Sequence, residues 1–200
     1  MFRVLPPNEA RWLGSSGLSP LTDDASSWDH VHQLTTQYRM APQIRNVVSN
    51  YQYGSRLSDA ETVRNRPDAR GLGPGKLPRC IWYVLDDDDG GNTASIRAVR
   101  GPGNRSWVRP RTLTVLQKLF RGMKPMAQSK GLFIAPFAAQ ARSVKQWLSE
   151  NGHANWSAST VHAQQGAEAD WVIFDTVHAS STGWPYDEWK RLVNVAMSRS

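Results

Sequence analysis

Residues 159–175 gather, in one short stretch, side chains that can face an anion: Ser159-Thr160-Val161-His162-Ala163-Gln164-Gln165-Gly166-Ala167-Glu168-Ala169-Asp170-Trp171-Val172-Ile173-Phe174-Asp175. Only Trp171 to Phe174 is core material. The polar run before it carries donors, an acceptor and a glycine in close sequence. A loop facing phosphate beside a sheet needs that set: short hydroxyls and free N–H groups for the anion, and a glycine for close backbone approach. Taken alone, the same run is also an ordinary loop before a strand.

Charge points the same way. The net charge is +7, and from Gly90 to Ser149 there is no Asp or Glu, while Arg97, Arg100, Arg105, Arg109, Arg111, Lys118, Arg121, Lys124, Lys130, Arg142 and Lys145 all fall in that span. The nearest acids are crowded just ahead, at Asp86 to Asp89. An acid-free basic segment is the footprint of a polyanion partner, and nucleic acid is favoured over an anionic membrane because no strongly amphipathic basic helix stands out.

Other chemistries are weaker. Gly71-Leu72-Gly73-Pro74-Gly75-Lys76-Leu77 is not a phosphate-binding loop of the GxxxxGK(S/T) kind. The glycine five positions before Gly75 is missing, no Ser or Thr follows Lys76, and Pro74 removes a donor. His30 and His32 stand at strand spacing without further ligands, and the single Cys80 excludes an internal disulfide and argues against a cysteine-rich metal site. No paired acid and base competes. Cys80-Ile81-Trp82-Tyr83-Val84 is apolar, so Cys80 is expected in the core. No apolar run approaches bilayer length and no leading segment resembles a signal peptide, so the expectation is a soluble, intracellular chain that does not enter a membrane.

The elements that must position these residues follow from periodicity. Pro42 opens an amphipathic helix over 42–52 with Ile44, Val47, Val48 and Tyr51 as its stripe, closed by Gly54. Residues 55–79 read as a long connection and 80–85 as a strand. Pro110 starts a helix carrying Leu113, Leu116 and Phe120 and ending near Gly122. Gly131 to Ala135 is a compact apolar strand, followed by Pro136-Phe137 and a helix with Ala141, Val144 and Leu148 that Gly152 ends. A strand over 171–177 and a last segment over 187–200 complete the chain; His30 to Leu34 is a further short strand. Strand alternating with helix predicts an α/β fold, a parallel sheet with helices on both faces.

Four segments in order carry a resemblance: Gln37-Tyr38-Arg39-Met40-Ala41-Pro42, Ala135-Pro136-Phe137-Ala138-Ala139-Gln140, residues 160–170, and Arg191-Leu192-Val193-Asn194-Val195-Ala196-Met197-Ser198-Arg199. Together they resemble the motifs of the second (C-terminal) RecA-like domain of superfamily 1 helicases, the AAA_12-like branch that includes helicases of nonsense-mediated decay. The resemblance covers nearly the whole chain, and it implies a RecA-like, P-loop-NTPase-like fold without its own P-loop. It divides the chain into a linker and the tail of a preceding lobe (1–33) and the RecA-like domain (34–200), cut short at its C-terminus.

What the family implies is a motor lobe of an ATP-dependent helicase or translocase. Arg39 and Arg199 match arginines that supply charge to the γ-phosphate, a task suited to a planar, permanently charged guanidinium. Glu168, with Gln165 and Gly166, matches the nucleotide-side motif, and Tyr38 matches a tyrosine near the base. Thr160 and His162, with Pro136, Phe137 and Gln140 from a second loop, match positions near the backbone of single-stranded DNA or RNA. ATP and Mg2+ are the implied cofactors, the metal held mainly by an N-terminal RecA-like lobe that this sequence lacks, so the chain alone is expected to be inactive. Departures from the pattern include Val193, an extra residue ahead of Asn194, which leaves the register of Arg191 open. The alternatives are a non-catalytic helicase-like module that binds nucleic acid, and a generic basic α/β domain in which Arg39, Glu168 and Arg199 have no reason to meet.

Overall fold

A computed structural model of the chain describes residues 34–64, 80–83, 97–104, 106–164, 167–177 and 186–199. From Thr36 onward these belong to one compact unit. In chain order the elements are β1 (Thr36–Gln37), α1 (Pro42–Gln52), β2 (Ser58–Asp59), α2 (Glu61–Arg64), β3 (Val99–Arg100), β4 (Trp107–Val108), α3 (Arg111–Gly122), α4 (Lys124–Gln128), β5 (Gly131–Ala135), α5 (Ala138–Glu150), β6 (Trp156–Thr160), β7 (Trp171–Phe174) and α6 (Tyr186–Met197). Short 3-10 turns lie at Pro102–Asn104 and His162–Gln164.

The centre is a three-stranded parallel sheet in the order β6-β5-β7. Every residue of β5 is buried, as a strand flanked on both sides and covered on both faces must be. Its alternation then assigns each face a core. Phe133 and Ala135 pack with Leu116 and Phe120 of α3, Val144 and Leu148 of α5, and Trp156. Leu132 and Ile134 point the other way, onto Leu192 and Ala196 of α6 and onto Val161. Helices therefore cover both faces, and the fold is the RecA-like α/β arrangement expected from the sequence.

The helices over 42–52 and 111–122, the strand 131–135 and the helix ended by Gly152 (φ 72°) all form where periodicity puts them. Within α1, Ile44 and Val48 are buried but Val47 is exposed, so the stripe is narrower than its spacing suggests. β7 stops at Phe174, short of 177, because Asp175 turns the chain: its carboxylate accepts the Val177 N–H at 2.8 Å, and Val177 sits at φ 51°. β6 had no signal of its own in the apolar pattern. It alternates Trp156 and Ala158, both buried, with Ser157 and Ser159.

One expectation fails. Residues 80–83 form no strand, Cys80 is exposed, and Trp82 is 81% exposed. An apolar run becomes a strand only by pairing, and among the described residues nothing pairs with it. The short strand at 30–34, the 71–77 loop and the acids at 86–89 lie outside the described residues, apart from Leu34, which is in no strand. Among the described residues no helix is long and apolar enough to cross a membrane.

Connections decide where a ligand can sit. After β5 the chain turns into α5 on one face; after β6 it passes through Val161 onto the opposite face. Adjacent strands whose connections leave in opposite directions open a crevice at their C-terminal ends, the usual ligand position in open α/β sheets. Ala135 and Thr160 are paired neighbours at that end.

Gly131 tests the packing beneath this sheet. A Cβ there would overlap the Trp156 indole, itself held by its N–H to Met126 O at 3.1 Å. Gly131→Ala is expected to destabilise the chain by roughly 2–3 kcal/mol, read as a lower urea midpoint with an unchanged slope.

Candidate functional site

Arg39, Glu168 and Arg199 come from three segments far apart in sequence, and packing brings them to one corner. Met40 follows Arg39 and lies in a cluster with Ala41, Ile44 and Val48 that Met197 of α6 packs against. The chain leaves α6 two residues before Arg199, so this contact sets the ends carrying the two arginines side by side. Asn194 Nδ2 donates to the Tyr53 hydroxyl at 3.2 Å, tying α6 to the end of α1. Glu168 arrives by alternation: Ala167 and Ala169 pack toward Leu132 and Ile134, which turns the residue between them outward.

Main-chain bonds lock the three segments. Ala169 N–H donates to Arg199 O at 3.2 Å, and Arg39 Nη2 donates to Ala167 O. Arg39 Nε stands 3.1 Å from Glu168 Oε1. The Glu168 side chain is 69% exposed, so this is a rim pair and not an internal one. Arg199 is 8% exposed, and its Nε donates to Val195 O at 3.1 Å. Its pKa is lowered, first by burial and then by the like charge of Arg39, with Glu168 acting in the opposite sense. A guanidinium does not lose its proton in a protein. The direction follows from the arrangement: buried Arg199 stands near a second cation, Arg39, and the one carboxylate at this corner, Glu168, is exposed.

Arg39 is presented by a turn whose order comes from one amide. Gln37 Oε1 accepts from Arg39 N–H at 2.8 Å and from Met40 N–H at 2.7 Å. Gln37 Nε2 donates to Met40 O at 2.8 Å and to Asp59 Oδ1 at 2.6 Å. Both donors and both acceptor sites of the amide are used. Asp59 is held in turn by the fork of Arg45, Nε to Oδ1 at 3.1 Å and Nη2 to Oδ2 at 2.8 Å. Sequence reasoning gave Gln37 no role and placed Asp59 in a featureless connection. The only available signal was the position of Gln37 two residues before an arginine in a recognisable motif.

The remaining expected site residues divide. Tyr38 is exposed beside Arg39, Thr160 is half-buried at the end of β6, and His162 is exposed in the turn that follows. Gln165 and Gly166 lie outside the described residues. The second loop needs correction. Pro136 and Phe137 are buried, and Phe137 belongs to the core with Val144 and Val177 instead of facing a strand's backbone. Gln140 is fully buried, accepting from Arg109 N–H at 2.7 Å and donating to Asp175 Oδ2 at 3.0 Å. Asp175 also takes Arg109 Nη2 and the Thr112 hydroxyl. A buried amide satisfied at both ends supports the loop from behind and cannot reach a strand.

Among the described residues, no group of three His, Cys, Asp or Glu could hold a metal ion. Glu168, the carboxylate at the corner, faces a guanidinium. These residues do not fit magnesium.

Residues 17–200 match the model of the AAA_12 family, described as an AAA domain. The chain belongs to that family. It is also 26% identical over 183 residues to the ATP-dependent helicase NAM7 of Saccharomyces cerevisiae, an alignment that takes in 84% of this chain and 18% of that protein. The chain thus spans under a fifth of the length of this curated relative. Membership of the AAA_12 family accords with the chain's parallel sheet and with the order of its motifs.

Asp59 makes the turn sensitive to acid. Its carboxyl is held below the ordinary range, first by the hydrogen bond from Arg45, against burial, and also by the Gln37 amide. The folded carboxylate binds a proton less readily than the unfolded one. The pair therefore contributes fully above the unfolded pKa of about 4, and that contribution is lost as pH falls through the lower folded value. Asp59→Asn is expected to flatten the acid limb of the stability profile followed by circular dichroism. Gln37→Ala, which strips partners from two N–H groups and a carbonyl, is expected to cost about 1–3 kcal/mol in urea unfolding.

Proposed function

We propose that this chain is the second motor lobe of an ATP-dependent nucleic-acid helicase or translocase. In this reading Arg39 and Arg199 face the γ-phosphate of a nucleotide held by a first lobe. The observation that carries it is the meeting of Arg39, Arg199 and Glu168 at one rim, with more positive charge than the corner neutralises. A generic basic domain gives no reason for that convergence.

Two guanidinium groups beside a triphosphate stabilise the charge that builds on the transferring phosphoryl group, and they do so best where water is excluded. Arg199 is already desolvated. Arg39 is held by a saturated amide, so little reorganisation is needed when the anion arrives. The incoming phosphate oxygens take the place of the Glu168 carboxylate opposite Arg39. Gln165, Gly166 and Tyr38 belong to the nucleotide side in this reading, and the magnesium that accompanies ATP is carried by the first lobe.

Single-stranded nucleic acid lies across the C-terminal ends of β5 and β6, where Thr160 and His162 present a hydroxyl and an imidazole to its phosphates. Such contacts position a strand without reading its sequence. Closure of the two lobes on ATP and their release after hydrolysis step the pair along the strand.

In the complete protein, Arg199→Ala and Arg39→Ala are each expected to lower strand-stimulated ATP hydrolysis by about a thousandfold or more, while binding of a labelled single strand stays within twofold or so of wild type. Hydrolysis at the wild-type rate in both variants would refute the assignment. A complete protein that binds strands and hydrolyses no ATP would instead be the non-catalytic helicase-like module.

A further inference from the structure

Strands β3 and β4 form an antiparallel hairpin, Val99 opposite Val108 and Arg100 opposite Trp107, that lies outside the parallel sheet. It is fixed to the start of α5. Ser106 Oγ accepts the Ala139 N–H at 3.1 Å, and Gly101 approaches so closely that a Cβ there would lie 2.9 Å from Ala139 Cβ. Because α5 begins directly after β5, the hairpin stands at the same end of the sheet as Thr160. Arg97 and Arg100 are both exposed, and among the described residues neither has a carboxylate partner. The Arg100 guanidinium lies over the Trp107 ring, 4.2 Å from its centroid. The surrounding sequence, 90–149, contains no acid at all.

We propose that the hairpin at 99–108 is an arm that holds single-stranded nucleic acid, Arg97 and Arg100 taking phosphates and the outer face of the Arg100–Trp107 stack taking a base. It rests on the nucleic-acid part of the function proposed above and extends the strand's path beyond Thr160 and His162. A guanidinium parked on an indole is already flat and ordered, so a base stacks on it with little further loss of side-chain freedom. Stacking of this kind tolerates any sequence, as a translocating strand requires.

The experiment is fluorescence anisotropy of labelled oligothymidine and oligouridine of about 15 nucleotides with this chain, over a range of salt. Replacing Arg97, two residues ahead of β3, together with Arg100 of β3 (Arg97→Gln with Arg100→Gln) is expected to weaken binding about tenfold or more and to reduce the slope of log K against log salt by about 1.4, two contacts at roughly 0.7 each. Both side chains are exposed, so the fold is retained. Lys124→Gln with Lys130→Gln removes the same charge at the opposite end of β5 and is expected to leave the slope unchanged. Equal weakening by the two pairs, an unchanged hairpin variant, or a wild-type chain that binds neither oligonucleotide would overturn the proposal. Loss of binding in His162→Ala with an unchanged hairpin variant sinks the arm and leaves the motor reading standing. A hairpin variant of this chain that loses binding, while Arg199→Ala in the complete protein hydrolyses ATP normally, supports the arm and sinks the arginine assignment.

Discussion

Burial of β5 on both faces is the constraint from which the rest follows. A five-residue strand with no polar side chain cannot sit at an edge or against solvent. It takes β6 and β7 as neighbours, α3 and α5 over Phe133 and Ala135, and α6 over Leu132 and Ile134. Once α6 lies on that second face, its far side meets α1. The packing of Met197 against the cluster of Met40, Ala41, Ile44 and Val48 is thus a by-product of covering Ile134, and it is this packing that sets Arg39 beside Arg199.

Precision at the corner comes from polar groups rather than from the core. A methionine contact is soft and would tolerate a turn that wanders. The Gln37 amide, saturated by two N–H groups, a carbonyl and a carboxylate, removes that freedom for Arg39. Asp175 does a similar job on the other face, gathering Arg109, Thr112, Gln140 and the Val177 N–H behind the loop that leaves β5. Two acids, Asp59 and Asp175, each buried and each held by an arginine, thus frame the two loops nearest the proposed ligands.

Legibility in the sequence tracked how local each signal was. β5, α3 and α5 could be read because their apolar residues recur at the period of the element they form. β6 could not, since Ser157 and Ser159 stand where a two-sided strand would show apolar groups. The run from Cys80 misled because apolarity states a preference for burial and says nothing about a partner. At the site, Arg39, Glu168 and Arg199 were recognisable only through motif order; no spacing argument joins residues 160 positions apart. An amide in a motif looks the same whether it faces ligand or core, so the burial of Gln140 has no local signal in the sequence. The bond that decides the matter is to Asp175, whose position nothing local announces.

Glu168 gives the corner a resting occupant. Any anion that approaches Arg39 competes with a carboxylate on the same chain, present at an effective concentration of millimolar order or above. Chloride and other monovalent ions, which make one weak contact, lose that contest. The triphosphate of the proposed function, engaging both guanidinium groups at once, would not. Under the proposed function the rim would therefore discriminate by valence before any shape is read, and the arriving anion would displace the carboxylate.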